Sequence, residues 1–207
     1  LPGDFPGYQK VANPEVLAKF EKAWGTKLNP NPGTHATDIF PAAIRGDVKG
    51  LYIFGEDPVV TDPDTHHVIK ALESLDFFVM FMTETAQYAD VILPGVSYAE
   101  KEGTFSNTER RVQRVRKAVE LDGEMRLDTD IFTDIMNRMG YPQPHLTSAE
   151  IMDEIASVTP SFAGISHERL DKEGGIQWPC TSNIRPVINI VGYSSSGNSA
   201  DGTYSAG

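Results

Sequence analysis

Blocks of apolar residues separated by polar, Pro- and Gly-containing segments divide this chain into short strands and amphipathic helices. Gly50-Leu51-Tyr52-Ile53-Phe54 is almost wholly apolar and stops at Gly55-Glu56-Asp57-Pro58, which suits a strand covered on both faces, as in a parallel sheet. Asp76 to Met82 and Val91 to Leu93 supply two further apolar strands. Between the first two, Val68, Ile69 and Leu72 predict a helix beginning at Pro63, with Asp62 as its cap. A short helical piece is expected from Thr83 to Ala89. Upstream, Asn13 caps a helix from Pro14 to Trp24 whose Leu17, Phe20 and Trp24 share one face, and a second helical pattern surrounds Ile39 to Arg45. Downstream, Ile131, Phe132, Ile135, Met136 and Met139 form one stripe in a helix from Asp128 to Met139. Thr147-Ser148-Ala149-Glu150 has the spacing of a capping box, and Pro160 ends the helix that follows it.

This order predicts an α/β fold: a doubly wound, mostly parallel sheet with a helical C-terminal extension. Right-handed crossovers would place every post-strand loop on one edge, where ligands of such sheets bind. The candidate loops are Gly55 to Thr61, Thr83 to Thr85 and Gly95 to Asn107. The expected organisation is a lead-in segment with one helix over residues 1–32, the α/β domain over 33–145 and the helical extension over 146–186. A Ser/Gly-rich tail over 187–207 reads as a flexible linker. The chain begins at Leu1 without a methionine, which reads as a loop arriving from something upstream.

Charge and cysteine content narrow the chemistry. A net charge of −11 and a pI near 4.8 argue against general binding to nucleic acid or to an anionic membrane. No apolar run is long enough to span a bilayer. Cys180 is the single cysteine, so the chain forms no internal disulfide and ligates no cysteine-bound iron–sulfur cluster by itself. Against the acidic background, Gly103 to Lys117 carries Arg110, Arg111, Arg114 and Arg116. These could hold phosphates or carboxylates in forked geometry, or form a charged strand or structural salt-bridge web. In Gly55 to Thr61, Glu56 and Asp57 could accept from a ribose or a guanine amino group, and the Thr61 hydroxyl could meet phosphate or ribose. They could equally end a strand and cap a helix. The histidines stand alone or, as His66 and His67, point about 100° apart on a helix, so they suggest no metal pair.

The motifs GYQKV, FEKAWG, LYIFGEDPVVTDPD, MTETAQYADVILP, GTFSNTERRVQRVRKAVE, NRMGY, FAGISHERL and GGIQWPC, in this order, resemble the molybdopterin oxidoreductase family, and within it the catalytic subunits of formate dehydrogenases. The likeness runs over roughly residues 5 to 180. It implies the second of two paired nucleotide-binding α/β domains, holding a bis-molybdopterin guanine dinucleotide that carries Mo or W. By motif, it implies that Gly55, Glu56, Asp57 and Thr61 meet one guanosine end, with Gly95 and Asp128 as further cofactor contacts. The family's catalytic and metal-ligating residues, and its [4Fe-4S] cysteines, would lie upstream. This segment alone is therefore expected to bind cofactor without oxidising formate. The implied partners are the flanking domains of a parent subunit and an iron–sulfur electron-transfer subunit, with formate and CO2 as the parent's substrates and a cytoplasmic rather than periplasmic setting. Two departures stand out. The stretch before Phe81 is about three residues shorter than in family members, and the likeness is expected to stop at Cys180. The alternatives are a non-catalytic scaffold module of an electron-transfer complex, or another family oxidoreductase such as a nitrate reductase.

Overall fold

Apolar strands and capped helices form where the local pattern places them. The computed structural model describes residues 2–80, 83–121 and 123–181; the expected tail over 187–207 and the shortened stretch at Phe81 and Met82 lie outside the described residues. A small hairpin of β1 (Asp4–Phe5) and β2 (Gln9–Lys10) leads into α1 (Pro14–Trp24). Asn13 caps α1 by accepting from the backbone N–H groups of Glu15 and Val16, and Gly25 closes it in the left-handed region. Helix α2 (Ala36–Ile44) follows, with Pro41 inside it.

The sheet at the centre of the first lobe is parallel. Strand β3 (Gly50–Ile53) pairs with β4 (Phe77–Met80), and β4 with β5 (Val91–Ile92), in the order β3-β4-β5. A four-residue helix α3 (Pro58–Thr61), helix α4 (Thr65–Glu73) and a 3-10 turn (Glu84–Tyr88) fill the connections. Val68 and Leu72 of α4 pack on Phe78 and Met80, with Phe40, Leu51 and Ile53 around them. Each large side chain buried there is worth roughly 1.5–3 kcal/mol relative to exposure. On the opposite face, Phe132 of α5 (Asp128–Arg138) meets Tyr52 at 5.9 Å and Phe54 at 5.1 Å between ring centroids. Helices thus lie on both faces, as the α/β reading requires. That second cover is partial, because Tyr52 and Phe54 stay 37% and 45% exposed, so β3 is not the doubly buried strand its composition suggests.

Two local expectations are corrected. Asp62 does not cap the helix after β3. Its backbone N–H closes α3 onto the Pro58 carbonyl and its carboxylate accepts from the Asp64 N–H, so Asp64 becomes the cap, accepting from His67 N. Residues Gly103 onward, expected as a strand-end loop, instead form a hairpin of β6 (Gly103–Ser106) and β7 (Arg111–Val115). Strand β8 (Ile176–Gln177) joins the free edge of β7, with Val112 opposite Ile176. Val112 and Ile176 then form a second core with Met152 of α6 (Ser148–Val158), Leu170 of α7 (His167–Glu173), Ile165 and Cys180. The hairpin therefore shares its core with the C-terminal helices rather than with the parallel sheet. An antiparallel pair presents an unpaired edge and one apolar face, and both are satisfied here from the far end of the chain.

Candidate functional site

The three parallel strands point their carboxyl ends to one edge, and the loops there carry the residues singled out above. Gly55 turns the chain out of β3 at φ 70°, a left-handed conformation that only glycine adopts without strain, and a Cβ there would meet nothing within 4 Å. Glu56 is exposed and makes no polar contact among the described residues. Asp57, half-buried, turns away from the helix it precedes. Its Oδ1 accepts from Thr85 N at 3.2 Å and from the Thr85 hydroxyl, and its Oδ2 accepts from Glu84 N at 3.3 Å. Thr85 is fully buried, and its Oγ1 also accepts from Val59 N at 3.0 Å. Together these bonds staple the loop after β3 to the loop after β4. Burial pushes the Asp57 carboxyl up, but the hydrogen bonds from Thr85 and Glu84 outweigh it and hold the group below its ordinary value.

Thr61 donates its hydroxyl to the Asp57 carbonyl at 2.9 Å. Asp57 and Thr61 therefore shape the loop, while Glu56 is the residue whose carboxylate faces solvent. Gly95 lies just beyond β5, after Pro94, whose carbonyl accepts from Arg126 N at 3.1 Å and ties the lead-in to α5 to the same edge. Asp128 opens α5 and forms a close, largely buried ion pair with Lys101. It also faces Tyr52, whose phenol is raised first by burial and then by this carboxylate. The predicted residues thus fall into two groups on one edge: Gly55, Glu56, Asp57 and Thr61 at β3, and Gly95 with Asp128 at β5 and α5. Thr85, which holds the first group in place, carries no local signal of that role, because its partner is 28 residues away.

The arginine-rich segment is mainly structural. Arg111 donates to Gly175 O at 2.9 Å; Arg114 meets Asp171 at 3.2 Å and Glu102 at 3.7 Å; Arg116 meets Asp171 at 2.6 Å. His167 lies 2.6 Å from Arg114 through Nδ1, and burial followed by that guanidinium pushes its pKa below 6.5. His145 sits between Asp130 at 3.0 Å and Asp134 at 3.3 Å. Cys180 is buried and accepts from Arg169 at 3.2 Å.

On this edge Glu56 offers two acceptor oxygens beside a glycine with open space at its Cβ position. Lys101 adds a cation beside Asp128.

Comparison with known proteins places these features in context. A family model described as molybdopterin oxidoreductase matches residues 8–138. A putative formate dehydrogenase of Staphylococcus haemolyticus is 47% identical over 198 residues, covering 93% of this chain and 20% of that protein. The F420-dependent formate dehydrogenase 1 subunit alpha of Methanococcus maripaludis is 48% identical over 196 residues, covering 92% of this chain and 28% of its own length. The chain thus spans between a fifth and just over a quarter of these relatives. Because 93% of the 207 residues is about 192, the likeness runs past Cys180, where the motifs alone suggested that it ends. Acetylene hydratase from Pelobacter acetylenicus shares the fold, with a TM-score of 0.56 at 23% identity over 81% of this chain and 24% of that one.

Proposed function

Because the chain belongs to the molybdopterin oxidoreductase family, we propose that its sheet edge cradles the guanosine end of a bis-molybdopterin guanine dinucleotide in the catalytic subunit of a formate dehydrogenase. Glu56 would accept from the guanine, and Gly55 would leave room for the ring. Asp57 and Thr85 would fix the loop before cofactor arrives, so little ordering entropy remains to be lost on binding. Gly95 and Asp128 would line the second part of the same edge. When bound, the group supplies a Mo or W centre that accepts the two electrons released as formate becomes CO2 and a proton. Residues 1–207 would contribute position rather than reacting groups, with catalytic and [4Fe-4S]-binding residues in other parts of the parent and an iron–sulfur subunit receiving the electrons.

The Asp57–Thr85 staple carries this reading. It spends a carboxylate, a fully buried hydroxyl and two backbone N–H groups on holding two strand-end loops together. Such an investment suits a site that must be rigid before its ligand arrives. The test is to purify the full-length parent with and without Glu56→Gln, release guanosine monophosphate from it by acid hydrolysis, and count nucleotide and metal per chain. The wild type should carry both, and the variant should lose most of the nucleotide while melting at the same temperature. A wild-type parent devoid of guanine nucleotide and metal would instead support the scaffold reading. A variant loaded as fully as wild type would remove Glu56 from the site.

A further inference from the structure

Of the four arginines in and just after the β6–β7 hairpin, Arg111, Arg114 and Arg116 are committed to carbonyl or carboxylate partners. Arg110 is not. Its backbone closes the hairpin turn, donating to Asn107 O at 2.9 Å and accepting from Trp178 N at 2.8 Å. Its guanidinium has no partner among the described residues. The residue also sits at φ 61°, in the left-handed region where glycine is the usual occupant of such a turn.

One other described residue without glycine's freedom adopts a positive φ: Tyr8, at 60°. It comes from the opposite end of the sequence, yet Tyr8 and Arg110 line the same cavity of about 490 Å³. That volume lies in the range of small-molecule sites, about 300–1,000 Å³. Backbone strain of this kind gathers at ligand clamps, and two such residues on one cavity make a shared cause the economical one.

Besides Arg110, two side chains of this cavity carry N–H groups without a partner among the described residues, alongside the hydroxyls of Tyr8, Ser106 and Ser161. The Trp178 indole N–H is buried without a partner, an arrangement that costs stability unless something accepts from it. Asn107 already accepts from Arg111 N through Oδ1 at 2.9 Å, which turns its NH2 group into the available end. The acid on the wall, Asp4, lies 2.8 Å from the Lys10 ammonium through Oδ1, an oxygen that is buried without a well-aligned hydrogen bond. Phe162 and Trp178 form an aromatic wall, with ring centroids 6.2 Å apart.

We propose that this cavity binds a planar aromatic anion, a ring carrying a carboxylate or phosphate. The anionic group is received by Arg110 and the Asn107 amide, and the ring lies against the aromatic wall. Forked guanidinium recognition and an aromatic wall of two tilted rings select for that combination over a bare anion or a neutral ring. No lining residue belongs to the strand-end edge, so the two sites can be tested separately.

The experiment titrates the full chain with benzoate and guanosine 5′-monophosphate as ring anions, and with formate and inorganic phosphate as ring-free anions. Tryptophan fluorescence and calorimetry provide the readouts. Both ring anions should quench saturably, and the ring-free anions should bind at least ~10-fold more weakly. Arg110→Gly relieves the left-handed strain, so the variant should melt higher than wild type while its affinity for benzoate falls at least ~10-fold. Arg110→Lys keeps the charge without the fork and should fall between. No saturable benzoate binding up to about 10 mM, or benzoate affinity unchanged in Arg110→Gly, overturns the proposal. So does nucleotide quenching that survives Arg110→Gly and disappears in Glu56→Gln with no benzoate response, which would assign the nucleotide to the sheet edge alone.

Discussion

Thr85→Val is the sharpest probe of the stapled edge, because the substitution keeps the shape of a fully buried side chain and deletes one oxygen. The lost hydroxyl donates to the Asp57 carboxylate and accepts from Val59 N. A hydrogen bond to a charged group contributes roughly 1.5–3 kcal/mol, and the half-buried Val59 N–H left without a partner costs about 1 kcal/mol. The added methyl returns about 0.8 kcal/mol by burial. The net expectation is a destabilisation of about 2–3 kcal/mol, read from denaturant unfolding of the full chain. At roughly 2–4 °C per kcal/mol for a domain of this size, the melting temperature should fall by ~4–12 °C. A double-mutant cycle with Asp57→Asn isolates the pair: Thr85→Val should cost at least ~1 kcal/mol less when the carboxylate is already gone. If Thr85→Val alone costs under ~0.5 kcal/mol, or the cycle shows no coupling, the staple does not order these loops and its use as the basis of a preformed site fails.

Two other outcomes follow from the packing and the charges. Phe20 is fully buried, stacked on Phe5 at 4.5 Å and tilted against Trp24 at 4.9 Å between ring centroids, so Phe20→Ala should cost about 3–5 kcal/mol in equilibrium unfolding; a cost below ~1 kcal/mol would mean that the lead-in segment does not fold with the rest. His167 has its folded pKa pushed below 6.5 by burial and Arg114, against Glu102, Asp171 and Asp153. The unfolded chain therefore takes up this proton first: the stability linked to the neutral ring is complete above pH 6.5 and is lost as pH falls through the folded value. The melting temperature should drop between about pH 7.5 and about pH 5, before carboxylates titrate, and His167→Gln should flatten that slope. A slope unchanged in the variant would refute the assignment.

Much of the architecture was legible because its signals are local. The Asn13 and Thr147 caps, the stripes of α5 and α6, and the apolar runs of β3, β4 and β5 all act within a few residues, the range over which periodicity and capping operate. The likeness of ordered motifs to one family was legible for the same reason, as was the placing of Gly55 and Glu56 in a post-strand loop. Tertiary structure decided what depends on where the chain returns. Asp57 meets Thr85 across 28 residues, so a carboxylate that could read as an acceptor for a ligand or as a helix cap serves as a staple between two loops. Arg114 finds Asp171 across 57 residues, so of the two readings the basic run allowed, anion site or salt-bridge web, most of its arginines take the second. The same pairing of β7 with β8 brings Trp178 beside Arg110 and, with Tyr8, builds a cavity from three distant segments. A side chain's type fixes the bonds it is able to make, but which of them it makes depends on the groups that packing carries to within about 3 Å.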